Sequence, residues 1–209
     1  MGGVLLRNQG LITRLSGVLV LAQNMNAEES GAYTGEVSAQ MLLELDADGV
    51  VLGHSERREH NGETDRVLQQ KVPAALEAGL QPILCVGETE DEREAGAMER
   101  KLRHQVGEAL QEVADERLAD VVIAYEPVWA IGSGQVATPE QVQEAIAFVR
   151  ALVGGRSEEA AQAIRLLYGG SVKPDNVAEI LAQTDVDGAL VGGASLDPED
   201  FARIAAAAG

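Results

Sequence analysis

Apolar residues along this chain gather in short continuous runs that alternate with longer stretches of helical spacing. The runs are Val18–Gln23, Val50–Gly53, Gln81–Val86, Val121–Glu126, Arg165–Tyr168 and Gly188–Val191. Runs of this kind predict strands buried on both faces. The stretches between them are Glu36–Leu45, Thr64–Ala78, Asp91–Ala114, Pro139–Val153, Pro174–Ala182 and Pro198–Ala208, and each is predicted to be a helix. Thr138 reads as an N-cap with Pro139 as the first helical residue, and Asp197 reads as the cap before Pro198. Pro73 predicts a kink or irregularity in its helix. Repeated β-α pairs with apolar strands imply a parallel sheet covered by helices. No Pro/Ser-rich linker or low-complexity block interrupts the pattern, so a single domain is expected.

Composition narrows the class. The chain has 209 residues, 45% of them hydrophobic, which is enough for one well-buried core. Its net charge of −18 makes nucleic acid and anionic membranes poor partners. It also repels a phosphorylated substrate at long range, so local positive potential must act at any phosphate site. Cys85 is the single cysteine, which excludes an intrachain disulfide and favours a reducing compartment. The three histidines, His54, His60 and His104, lack metal-site spacing. No apolar stretch is long enough to span a bilayer, and the first residues are too short for a signal peptide. A soluble cytoplasmic protein with no metal and no cofactor is expected.

The densest chemistry lies in Ala124-Tyr125-Glu126-Pro127-Val128-Trp129-Ala130-Ile131-Gly132-Ser133-Gly134. A carboxylate stands where a strand ends, Pro127 stiffens the exit, and Trp129, the only Trp, supplies an apolar anchor. The Gly132-Ser133-Gly134 tip can present backbone N–H groups to an anion. Three further segments follow strands: Gly53-His54-Ser55-Glu56-Arg57-Arg58, Leu167-Tyr168-Gly169-Gly170-Ser171-Val172 and Val191-Gly192-Gly193-Ala194-Ser195-Leu196. Ser55–Arg58 is predicted to form a helical turn whose N–H groups point at His54 and disfavour its imidazolium form. Glu56 reads equally as a second carboxylate of the site or as a partner for a nearby Arg.

In order and spacing these four segments resemble the triosephosphate isomerases over roughly residues 18–204. The resemblance implies an α/β fold, a truncated (β/α)₈ barrel with about six recognisable β-α units. A complete barrel of this type typically needs about 250 residues. Residues 1–17, with Leu5, Leu6, Leu11, Ile12 and Leu15, resemble the second helix of that barrel, and 18–209 an incomplete barrel domain. The implied activity is interconversion of dihydroxyacetone phosphate and glyceraldehyde 3-phosphate. By resemblance Glu126 is the base, His54 the electrophile and Glu56 a second carboxylate. Gly132, Ser171, Gly192 and Gly193 correspond to the phosphate grip, and Tyr168 to the residue that latches a closed lid near Ala130. Cys85 matches a buried thiol near Glu56. Residues 24–36, ending Gly31-Ala32-Tyr33-Thr34-Gly35-Glu36, resemble a loop for self-association, in which Glu36 would meet Arg57 of a second copy. The Asn and Lys that the family carries on its first strand find no counterpart in the 209 residues, Arg7-Asn8 being the nearest pair in chemistry. Reduced activity is therefore expected, and the alternative is a non-catalytic remnant that binds phosphate or a partner.

Overall fold

The computed structural model describes residues 18–131 and 135–207. Residues 1–17, compared above with a barrel helix, and the tip 132–134 lie outside the described residues. Six strands form one parallel sheet in chain order: β1 (Leu21–Ala22), β2 (Gly49–Leu52), β3 (Gln81–Val86), β4 (Val122–Tyr125), β5 (Arg165–Tyr168) and β6 (Gly188–Ala189). Every neighbouring pair is parallel, with Leu52 opposite Leu84, Val86 opposite Tyr125, and Tyr125 opposite Tyr168. Among the described residues β1 and β6 each pair on one side only. This is an α/β fold with the strand order of a (β/α) barrel.

The helices are α1 (Ala39–Leu43), α2 (Ser55–His60), α3 (Asp65–Ala78), α4 (Glu90–Glu94) and α5 (Met98–Ala109), followed by α6 (Pro139–Gly154), α7 (Glu158–Ala163), α8 (Val177–Leu181) and α9 (Pro198–Ala207). Helices α1, α3, α5, α6, α8 and α9 form the outer layer, each touching the next. One core lies between layer and sheet. Leu52, Leu84, Val86 and Ile123 from the strands pack there with Leu68, Val72, Leu102, Val142 and Ile146 from the helices. Each such buried Leu or Ile contributes about 1.5–3 kcal/mol through its burial.

Local chemistry sets most boundaries. Thr64 and Thr138 accept hydrogen bonds from the Val67 and Gln141 N–H groups, and Gln141 reaches back to the Thr138 N–H. The Asp197 carboxylate accepts from the N–H groups of Glu199 and Asp200. Helix α3 runs through Pro73 at the cost of one backbone hydrogen bond.

Four expectations are corrected. The helix expected over 91–114 is two helices, because Gly96 takes φ +65° and ends the first, while a capping box at Thr89 starts that helix earlier. The strand expected over 18–23 pairs only at Leu21–Ala22, and Val18 and Leu19 stand 56% and 55% exposed. The helices expected over 36–45 and 174–182 shrink to α1 and α8, the first because the Ser38 side chain caps at the Met41 N–H. Helix α7 has no counterpart in the sequence pattern; Ser157 caps it through the Ala160 N–H, and Ala160 and Ala161 bury it against α6.

Candidate active site

Parallel strands in register bring their C-terminal ends to one rim, and the four singled-out segments leave the sheet there. His54 follows β2, Glu126 follows β4, Gly169–Ser171 follows β5, and Gly192-Gly193 lies just beyond β6. The ladder continues into these exits, with Glu126 N–H donating to Val86 C=O at 2.7 Å and Gly169 N–H to Tyr125 C=O at 2.7 Å.

His54 and Glu126 meet directly. His54 caps α2, its Nδ1 accepting from the Glu56 N–H at 3.3 Å. A nitrogen that accepts carries no proton, so the hydrogen-bond pattern puts the ring proton on Nε2. Nε2 lies 3.1 Å from Glu126 Oε1, and Glu126 Oε2 accepts from the Ser55 N–H at 3.0 Å. Glu126 is 2% exposed. Burial raises its pKa above the ordinary carboxylate value, against opposing contributions from His54, the Ser55 N–H, Cys85 and Arg58. The result is a desolvated carboxylate of raised basicity, parked on a hydrogen-bond donor that can polarise a carbonyl. Gly169 makes room for it: a Cβ there would stand 2.9 Å from Glu126 Cγ.

A second buried carboxylate braces the exit from β4. Glu88 is fully buried, and its Oε1 alone accepts from Tyr125 Oη at 2.9 Å, Trp129 Nε1 at 2.9 Å and Arg93 Nη1 at 3.4 Å. Its Oε2 has no partner among the described residues. The Arg93 guanidinium also lies 5.4 Å from the Trp129 ring centre. On the far side of the 132–134 tip, Gln135 Nε2 donates to Glu90 at 3.0 Å. Both stems of the tip are thus tied to the segment after β3. Glu88 was not singled out in the sequence. The available signal was its place two residues past the apolar run Gln81–Val86, one step further along than Glu126 after β4.

Tyr168 is fully buried, and its hydroxyl has no hydrogen-bond partner among the described residues. Burial pushes its pKa up to about 12. The hydroxyl lies against Gly170, where a Cβ would come within 2.2 Å of it. Tyr168 is therefore an interior side chain whose hydroxyl is unpaired among the described residues.

The remaining expected residues divide. Ser171 is half-buried, and Gly192 and Gly193 are exposed on the same rim. No described residue accepts from the N–H groups of Gly192 or Gly193. Gly132 lies outside the described residues. Glu56 is exposed and its side chain makes no ion pair or hydrogen bond, with Glu126 or with any Arg, among the described residues. Cys85 is buried; burial first and Glu126 second push its thiol pKa up, with a smaller push from Glu63. In the 24–36 loop, Gly31–Val37 are all exposed. Within the chain Glu36 accepts from Asn26 Nδ2, and Arg57 pairs with Glu63.

Comparison with known proteins gives one answer. The family model described as triosephosphate isomerase matches residues 5–208. The triosephosphate isomerase of Rubrobacter xylanophilus is 54% identical over 194 residues, covering 92% of this chain and 76% of the relative. Those of Herminiimonas arsenicoxydans and Citrifermentans bemidjiense are each 50% identical, covering 90% of this chain and 75% and 76% of the relatives.

Proposed function

The chain belongs to the triosephosphate isomerase family, and from that premise we propose that it interconverts dihydroxyacetone phosphate and glyceraldehyde 3-phosphate by proton transfer through Glu126. The observation that carries the reading is the contact of His54 Nε2 with Glu126 Oε1 at 3.1 Å, on a rim that also presents the Gly192 and Gly193 N–H groups, from which no described residue accepts. Triosephosphate isomerases are the type case of a Glu base paired with a neutral His electrophile. Here Glu126 takes a proton from the hydroxyl-bearing carbon while His54 Nε2–H polarises the carbonyl oxygen, giving an enediolate; His54 passes the hydroxyl proton to the former carbonyl oxygen, and Glu126 returns its proton to the former carbonyl carbon. His54 and Ser55 hold the carboxylate in the present geometry, so the substrate carbonyl must displace Glu126 from His54 before chemistry begins. Ser171, Gly192 and Gly193, with Gly132, hold the phosphate through backbone donors. Tyr168 latches the lid when its hydroxyl finds a backbone acceptor, and Glu56 acts only if the closed state turns it inward.

Two finer readings accompany this. Turnover by these 209 residues alone is reduced, because none of them corresponds to the Lys beside the phosphate. Losing one oriented donor typically costs about 10²–10³-fold. The chain also self-associates through residues 24–36, whose Tyr33 is 47% exposed; sedimentation showing only monomer at micromolar concentration would count against this. The decisive test is isomerisation by purified protein with Glu126→Gln as control. Loss of at least about 10²-fold is expected for removal of a general base. Turnover untouched by the substitution would defeat the proposal.

A further inference from the structure

Beneath His54 lies a buried polar cluster that this chemistry leaves unused. Glu63 is 4% exposed and Lys71 of α3 is 6% exposed. Glu63 Oε2 accepts from the Gly53 N–H at 3.1 Å, and Lys71 Nζ pairs with Glu63 Oε1. Lys71 Nζ also donates to Asn24 Oδ1 at 2.8 Å, at the foot of the 24–36 loop. From the other side Arg58 Nε donates to the Gly53 C=O at 2.7 Å, and its Nη2 to the Cys85 C=O at 3.0 Å. Both backbone polar groups of Gly53 are therefore held by charged side chains. Gly53 itself takes φ +74°, the bend by which the chain leaves β2 for His54.

A buried ion pair is weak evidence for stability, since apolar replacements of similar volume are often neutral or better. What this pair does locally is fix a peptide. The His54 ring is tethered at Nδ1 and Nε2, but its backbone is set by the preceding residue, which Glu63 grips. A displacement of about 1 Å at a reacting group can cost about 10²-fold.

We propose that Glu63, with Lys71 as its counter-ion, is a positioning residue for His54: by holding the Gly53 N–H it sets where the Nε2–H points. The kinetic part rests on the isomerase reading, while the positioning itself does not. The test uses the full chain labelled with ¹⁵N-histidine, whose three rings are assigned with His60→Gln and His104→Gln. Glu63→Leu/Lys71→Met removes the buried pair and the acceptor, and leaves Arg57, the second cation on Glu63 Oε2, at its half-buried position. Glu63→Gln/Lys71→Met removes both charges and keeps an oxygen for the Gly53 N–H. In the parent, the His54 ring is expected as a single Nε2–H tautomer. In the Leu/Met variant its signals shift and the tautomers mix, while His60 and His104 hold still; in the Gln/Met variant the parent pattern returns. Where the parent turns over substrate, the Leu/Met variant loses about 10–100-fold in kcat with KM within about twofold. His54 signals unchanged in a folded Leu/Met variant would overturn the proposal. So would failure of both variants to fold, which would make the pair a determinant of stability. A parent without turnover counts against the isomerase reading alone, because the ring signals still report the positioning.

Discussion

Replacing Glu88 separates its acceptor role from its charge. All three of its donors meet Oε1, and Oε2 is buried without a partner among the described residues. Glu88→Gln can therefore keep Tyr125 Oη, Trp129 Nε1 and Arg93 on one oxygen, losing only the charge assistance, and should cost about 1 kcal/mol. Glu88→Leu removes the acceptor. Tyr125 is 1% exposed, so its hydroxyl is left as a buried unsatisfied donor at about 1–3 kcal/mol. The Trp129 bond, half-buried, adds about 0.5–1.5 kcal/mol. The Arg93 pair is partly exposed and long, and adds little. The sum is about 1.5–4.5 kcal/mol, above the figure for the Gln variant. Urea denaturation reads the stability. Trp129 is the only Trp, so its emission reports directly on whether Nε1 keeps its bond. A Leu variant as stable as the parent, with unchanged emission, would refute the assignment of Glu88 as the brace of this exit.

Other consequences follow from the same geometry. Burial raises the native pKa of Glu126 above the unfolded value near 4.5, so the native state keeps that proton to higher pH. The associated stability is full below the unfolded pKa and lost as pH rises through the native one. Thermal melts of Glu126→Gln and the parent should therefore converge near pH 4, with the variant gaining on the parent toward neutrality; a gap that narrows with rising pH would contradict this. The acid limb of kcat/KM should likewise lie above the ordinary carboxylate range, as pH–rate measurements will show. Gly169→Ala pushes a methyl to 2.9 Å from Glu126 Cγ and should lower kcat by about 10-fold or more while leaving phosphate binding nearly intact; inhibition by inorganic phosphate alongside kcat separates the two. Tyr168→Phe removes a buried hydroxyl that has no partner among the described residues, so stability should stay within about 1 kcal/mol or rise, while catalysis falls if the hydroxyl latches the lid. Denaturation and steady-state kinetics on one preparation check both halves.

Much of the architecture is local and was readable in one dimension. Six apolar runs announced six strands, and Thr138 and Asp197 announced two helix starts, because caps and continuous burial act within a few residues. The family motifs also marked His54 and Glu126, since strand exits carrying a His or a carboxylate keep their chemistry in sequence. Where packing outvoted pattern, the reading slipped. Val18 and Leu19 are good strand formers, but the described sheet offers them no partner. Asp91–Ala114 has helical spacing throughout, yet a left-handed Gly96 lets the chain turn before α5 packs on α3.

The site as an assembly belonged to the tertiary structure. Ser55 and Glu126 are 71 residues apart, and only a parallel sheet in register delivers both to one rim at 3.0 Å. The buried carboxylates Glu63 and Glu88 look in sequence like ordinary surface charges. Their partners come from elsewhere in the chain: Gly53, Arg57 and Lys71 around one, Arg93, Tyr125 and Trp129 around the other. A charge can be kept away from water only where such donors converge, and convergence is a property of the fold that no local run of residues contains.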